Sequence, residues 1–339
     1  MSKKSSQPPD LVPVQLPART VPPPATISDA ARAALSAGAS APALPRLPPG
    51  DLEGWRRAVQ ASELTWEPFA AGMLAAARCN VDTQTLGGVK SYVCTPVAPD
   101  TARHRPLYLY LHGGAFVFGG GNFALAMGAA AADRLGVTTV SVDYRMPPDH
   151  PFPAAPEDGL AVYRALIERY DPKDLVIGGS SAGGNLAAAV TLLIRDRGLP
   201  PPAAVVLLTP EADLTESGDT FRTNALLDVT LKGGIPECNA LYAAGHDLTD
   251  PYLSPLYADF TRGFPPTLIQ SGTRDVFLSN AVLLHRKLRQ ADVEAELHVW
   301  EAMPHGGFGF GSGPESPVPE NDEIDAEILR FITRRTRRT

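Results

Sequence analysis

The sequence predicts an α/β fold: a mostly parallel, doubly wound sheet with helices on both faces. Three observations carry that expectation over its 339 residues. From about residue 80, short apolar runs of strand length alternate with longer segments whose apolar residues recur at helical spacing. Most of the short runs are apolar without alternation, the pattern of strands covered on both faces. The stretch 211–264 breaks the rhythm with glycine, proline and helical fragments but no clear strand. It is too long for a plain connection and reads as an insertion over one end of the sheet.

Taken in order, residues 1–50 hold eleven of the 34 prolines and describe an extended, poorly ordered lead-in. One short helix, 28–37, is expected within it, with Ser28 as its cap. From Asp51 the pattern changes. Leu52, Trp55, Val59, Trp66, Phe69 and Met73 recur at helical spacing, giving one or two amphipathic helices over 51–77. Their aromatic stripe suits a core face and a pocket wall equally. Runs 81–86 and 89–95 flank Gly87-Gly88 and read as a hairpin. Runs 106–111, 137–142, 175–177, 204–208 and 266–270 supply parallel strands, and patterns 123–135, 156–170, 182–197 and 279–290 the helices among them. A last strand, 293–300, and a last helix, 323–332, complete the chain.

Composition narrows the class. Hydrophobic content of 44% with 20% charged residues is that of a globular protein. A net charge of −7 gives no general attraction to nucleic acid or anionic membrane. Cys79, Cys94 and Cys238 are too few and too scattered for a disulfide framework or a zinc site. The apolar stretch 186–194 falls far short of the roughly 20 residues of a membrane span. The basic start Met1-Ser2-Lys3-Lys4-Ser5 leads into prolines rather than the apolar region of a signal peptide, so a cytoplasmic location is expected. The arginines at 334, 335, 337 and 338 read as a solvated tail.

The chemistry concentrates in a few loops. Gly179-Ser180-Ser181-Ala182-Gly183 fits the G-x-S-x-G pattern, directly after an apolar run and directly before a helix marked by Leu186, Val190 and Leu193. A serine on such a turn presents its hydroxyl at a helix N-terminus, where free N–H groups favour developing negative charge. Small neighbours are needed because the turn crowds any side chain. Ser180 is the rival nucleophile, but centring on it puts Ala182 where the second glycine belongs. His112-Gly113-Gly114-Ala115-Phe116 follows the run 106–111, and consecutive glycines leave backbone N–H groups able to approach a bound group, as in an oxyanion hole. No Gly-Lys-Ser/Thr ending or G-x-G-x-x-G opening makes it a phosphate loop. His112 reads as a structural histidine holding the loop.

Seven histidines compete for the base: 104, 112, 150, 246, 285, 298 and 305. His305 follows the last strand and follows the serine in sequence, where a general base is placed in this arrangement. For the acid, Asp275 stands just past the run 266–270, where an aspartate can fix the histidine tautomer. Asp143, Asp213 and Asp247 are weaker rivals. Asp250, in Asp250-Pro251-Tyr252-Leu253-Ser254-Pro255, is the serious one.

These blocks together resemble the hormone-sensitive-lipase-like family of α/β-hydrolases over about residues 80–335, with Asp143-Tyr144-Arg145 and His150-Pro151-Phe152-Pro153-Ala154 adding to the match. The resemblance implies a bacterial carboxylesterase with Ser181 as nucleophile, His305 as base and Asp275 as acid. It implies an oxyanion hole from the N–H groups of Gly113, Gly114 and Ala182, and structural roles for Asp143, Arg145 and Asp250. It further implies a helical cap, so that 1–50 is a lead-in, 51–78 the N-terminal part of the cap, and 79–339 the catalytic domain with a cap insertion at about 211–248. Ser180 stands where the family's commonest block has aspartate, and Ala115 where a third glycine is usual. The expected partner is a small-molecule ester, with a lactone as the alternative substrate and a homodimer left open beside the monomer. No cofactor and no metal is expected. The rival class is a ligand-binding relative that has lost catalysis. Receptors of that kind lack the histidine, and His305 is present.

Overall fold

A strand with helices on both faces must send alternate side chains into two separate cores, and the third strand shows this most simply. In the computed structural model, which describes residues 13–39, 43–97, 106–308 and 318–336, Leu107, Leu109 and Leu111 of β3 (Leu107–Leu111) enter one apolar cluster. Tyr108 and Tyr110 enter another. Each fully buried leucine of this kind contributes about 1.5–3 kcal/mol, so the all-apolar runs hold the sheet between its helices.

The sheet has eight strands in the order β1-β2-β4-β3-β5-β6-β7-β8. β1 (Cys79–Leu86) and β2 (Val89–Pro96) form the expected antiparallel hairpin, turning at Gly87 and Gly88, both with positive φ. β2 pairs antiparallel with β4 (Thr139–Val142), and from β4 onward every pair is parallel. The remaining strands are β5 (Leu175–Ser180), β6 (Ala204–Leu208), β7 (Thr267–Gly272) and β8 (Ala295–Trp300). One face carries α4 (Ala154–Ile167), α5 (Ala182–Asp196) and α8 (Leu278–Gln290); the other carries α3 (Asn122–Leu135) and α9 (Pro319–Thr336). Register decides where the strands stop. Leu111 pairs with Gly179, and Ser180 with Leu208, so the carboxyl ends of β3, β5 and β6 finish level.

Before the sheet come α1 (Asp29–Ala39) and α2 (Leu52–Ala76). α2 is one helix of 25 residues, capped by the Asp51 side chain on the Gly54 N–H and running through Pro68. The lead-in is less loose than its composition suggests. Ser28 Oγ accepts the Ala31 N–H and donates to Glu320 at 2.7 Å, Ala31 and Leu35 are buried, and Arg274 donates to the Pro22 carbonyl. Residues 1–12 of the lead-in, His104, Arg337 and Arg338 lie outside the described residues. The C-terminal arginines are not simply a solvated tail: Arg334 and Arg335 sit on α9 and pair with Glu296 and Glu294 beside β8. The stretch 211–264 holds α6 (Thr220–Thr223), α7 (Pro236–Ala243) and two short 3₁₀ turns, with no strand.

Candidate active site

The sharp turn after β5 is built by close packing. A side chain at Gly179 would collide with the carbonyl oxygens of Leu111 and Gly183, and one at Gly183 with those of Leu111 and His112. Only glycine lets the turn lie this close to the end of β3. Between them Ser181 takes φ 59° and ψ −122°, a region that non-glycine residues rarely adopt. Its N–H donates to Leu208 at 2.8 Å, which anchors the strained residue on β6. The hydroxyl is thereby held at the start of α5, 9% exposed.

Two further loops meet it. Gly272 ends β7 with no room for a side chain against Met303, while Thr273 N–H donates to Trp300 and Ala302 N–H to Thr273 Oγ1. The loops after β7 and β8 are thus fastened to each other. They bring His305 Nε2 to 2.8 Å from Ser181 Oγ and His305 Nδ1 to 3.1 Å from Asp275 Oδ1. Asp275 is fully buried and also accepts Ser271 Oγ at 2.6 Å and the Phe277 N–H at 2.9 Å. A carboxylate only accepts, so Nδ1 carries the imidazole proton and Nε2 is left to accept from the serine. The Phe277 ring stands edge-on to the imidazole, centroids 4.7 Å apart.

The glycine loop after β3 faces the same point. Gly113 packs directly on Ser180 and Ser181, and Gly114 at φ 131° turns the chain so that the Phe118 N–H reaches its carbonyl at 2.8 Å. Ala182 is the first residue of α5, where an N–H has no acceptor within the helix. His112 lies under this loop rather than in the site. Its Nδ1 donates to the Gly113 carbonyl at 2.8 Å, its ring stacks on Tyr144 at 4.1 Å, and burial pushes its pKa down to about 4.

The rival acids lie elsewhere. Asp143 accepts Tyr92 Oη and the Gly121 N–H, and pairs with Lys90. Asp250 accepts the Tyr252 N–H and turns its own loop, while Asp213 and Asp247 accept from Thr215 and Thr249. Arg145 clasps the buried Asp158. His305 Nε2 meets Ser181, not Ser180.

Sequence reasoning missed two residues. Asp228, in the insertion, accepts the N–H groups of Val276, Thr230, Leu231 and His305 itself, and burial raises its carboxyl above the usual carboxylate range. Asp228, Asp275 and His305 come together closely, and each oxygen of the two carboxylates accepts at least one hydrogen bond from the surrounding loops. Thr209, just past β6, has φ 42°, a conformation that strains a β-branched residue, and its Oγ1 accepts the Gly306 N–H at 3.3 Å. No sequence pattern marks either residue.

A cavity of about 610 Å³ opens over Ser181 and His305, within the size range of small-molecule sites. Gly113 and Gly114 form its floor, and Ala58, Trp66 and Phe69 of α2 form one wall. Leu44 and the segment 229–231 close it further. The aromatic stripe of α2 therefore divides: Trp66 and Phe69 face the cavity, whereas Trp55 is fully buried and donates to the Pro48 carbonyl.

Known proteins similar to this chain are numerous. A family model described as the alpha/beta hydrolase fold matches residues 108–309. An acetyl-hydrolase of Streptomyces hygroscopicus is 37% identical over 199 residues, 58% of this chain and 66% of that one. An esterase of Acinetobacter venetianus is 32% identical over 230 residues, 67% of this chain and 74% of that one. A crystal structure of an esterase superposes with TM-score 0.85 at 33% identity, covering 96% of this chain and 99% of that one. A crystal structure of an esterase from the bacterial hormone-sensitive lipase family gives 0.76 at 31% identity, covering 91% and 99%. The chain belongs to the α/β-hydrolase fold family, among the hydrolases of its hormone-sensitive-lipase group.

Proposed function

We propose that the chain is a serine carboxylic ester hydrolase working through an acyl-enzyme, with Ser181, His305 and Asp275 as its triad. The observation that carries this reading is the 2.8 Å contact between Ser181 Oγ and His305 Nε2 at the floor of the cavity. Ser181 Oγ attacks the ester carbonyl as Nε2 takes its proton, and the buried Asp275 steadies the imidazolium. The carbonyl oxygen becomes an oxyanion, received by the N–H groups of Gly113, Gly114 and Ala182. Collapse breaks the bond to the leaving alcohol, which takes the proton from Nε2. A water molecule then gives its proton to Nε2 and cleaves the acyl-enzyme, releasing the acid and restoring Ser181.

In this reading residues 51–78 and the segment 211–248 form a cap that sets the width of the cavity, and the apolar α2 wall receives the acyl chain. Small to medium acyl groups fit about 610 Å³. A fluorophosphonate probe tests the assignment. It should label the protein at Ser181, and Ser181→Ala should lose both the label and ester hydrolysis while keeping its fold. Labelling at Ser180 with activity retained in Ser181→Ala would refute the nucleophile assignment. A panel of esters graded by acyl length, with lactones included, separates the ester reading from a lactone hydrolase. Binding of all of them without turnover would favour the non-catalytic relative.

A further inference from the structure

α2 borders two cavities, one along each flank. Besides the main cavity over Ser181, a smaller chamber of about 190 Å³ lies between α2 and the start of α3. Val59, Glu63, Glu67 and Ala70 of α2 line the chamber, whereas Ala58, Ala61, Thr65 and Phe69 line the main cavity. At about 100° per residue these two sets fall on opposite flanks of the helix. Ser62 and Trp66, one turn apart, stand between the flanks and line both spaces. Phe118 and Phe123 also line both, facing α2 from the loop after β3 and from α3.

These four side chains stand where the two spaces meet. Ser62 is small, so on the α2 side the boundary falls to Trp66. Its ring meets that of Phe123 with centroids 4.8 Å apart and that of Phe118 edge-on at 6.2 Å. Phe118 and Phe123 are buried, and Phe118 is backed by Trp55 at 6.3 Å. Trp66 itself is half-buried and is the ring that α2 contributes to this contact. Beyond it the chamber offers apolar surface from Val59, Ala70 and Met146, while Glu67 is occupied in accepting from Asn122. An alkyl group could therefore be seated there if the ring were gone.

We propose that Trp66 is a specificity-determining residue: its ring is the partition that keeps the acyl chain of a bound ester on the flank of Ala61 and Phe69, out of the chamber on the other flank. This rests on the esterase reading above, in which the α2 wall receives the acyl chain. One ring then sets the upper acyl length, and removing it joins the two spaces. Each further methylene taken out of water strengthens binding about fourfold. Seating two more should raise kcat/KM for a longer ester about tenfold or more.

The test is the ratio of kcat/KM for p-nitrophenyl octanoate to that for p-nitrophenyl butanoate, which does not depend on the fraction of folded protein. Wild-type protein should favour the butanoate. Trp66→Ala should raise the ratio about tenfold or more. Trp66→Phe, which keeps a ring against Phe118 and Phe123, should raise it far less. Adding Val59→Phe to Trp66→Ala refills the chamber from its own flank and should bring the ratio back towards the wild-type value. If Trp66→Ala does not fold, Trp66→Leu keeps more of the packing and should still give a several-fold rise. A wild type that already favours the octanoate, an unchanged ratio in the Ala or Leu variant, or a rise that Val59→Phe leaves intact overturns the proposal and leaves the esterase reading standing. Wild-type protein that cleaves neither ester overturns both.

Discussion

The Asp228 carboxylate accepts the backbone N–H of His305 at 3.2 Å and that of Val276 at 2.8 Å. One side chain from the insertion thus holds the histidine loop and the residue after Asp275 in a fixed relation. Four stretches of chain meet around Ser181, and the insertion both lines the cavity through residues 229–231 and fastens the loops that carry His305 and Asp275 to each other.

Removing that link should loosen the base. Asp228→Ala orphans several buried N–H groups and should cost about 2–4 kcal/mol of stability. Its kcat should fall more than tenfold while KM changes little, since the α2 wall is untouched. Urea titration and steady-state kinetics on the same sample check both. A variant with unchanged kcat would mean that the loops after β7 and β8 hold His305 unaided.

Asp275→Asn keeps shape but favours the wrong imidazole tautomer. It should lower turnover by about 10⁴-fold, the cost of the same change in a serine-protease triad. Asp250→Asn, whose carboxylate is engaged in its own loop, should act on melting temperature and leave turnover per folded molecule within a few-fold. The reverse pattern would move the acid to Asp250.

His112 gives an acid-side signature. Its pKa is pushed from the usual 6.5 to about 4 by burial, so the fold requires the neutral ring. Its contribution is complete above the unfolded value and is lost as pH falls from 6.5 towards 4, on the order of 3 kcal/mol. The urea midpoint should decline over that window, and His112→Asn should remove most of the decline. A wild-type midpoint that is flat between pH 6.5 and 4 would contradict this.

Glu211 should behave in the opposite sense. It is fully buried beside Asn239, which donates to its Oε1 at 2.6 Å, and desolvation holds its carboxyl well above the usual carboxylate range. A raised acid is stabilising below about pH 4.5 and loses that contribution as pH rises. Glu211→Gln stays neutral throughout. It should therefore become more stable than wild type by a margin that grows from pH 5 to pH 8, read as the difference in melting temperature. A constant margin would mean that Glu211 is already ionised.

The fold was legible because its strands are apolar without alternation: 107–111 and 204–208 admit few readings other than strands buried on both faces. Ser181 stands out by its G-x-S-x-G motif and His305 and Asp275 by their places after strands, and the structure brings these three side chains together. Asp228 was invisible because its work is done on backbone N–H groups of distant loops, contacts that leave no local spacing. The division of the α2 stripe escaped as well, since Trp55 and Trp66 share a helical pattern but meet different neighbours: the Pro48 carbonyl in one case and the cavity in the other.

At Gly179 and Gly183 the obstacle to a larger residue is a set of peptide oxygens from Leu111, His112 and the turn itself, not side chains. Side-chain clashes can be relieved by shrinking the neighbour, but a peptide oxygen is the same whatever amino acid supplies it. Lesions at these two positions should accordingly have no second-site suppressors, even in a saturating screen. Damage at Gly128, which faces the Ser141 side chain across α3 and β4, should be rescued by Ser141→Gly.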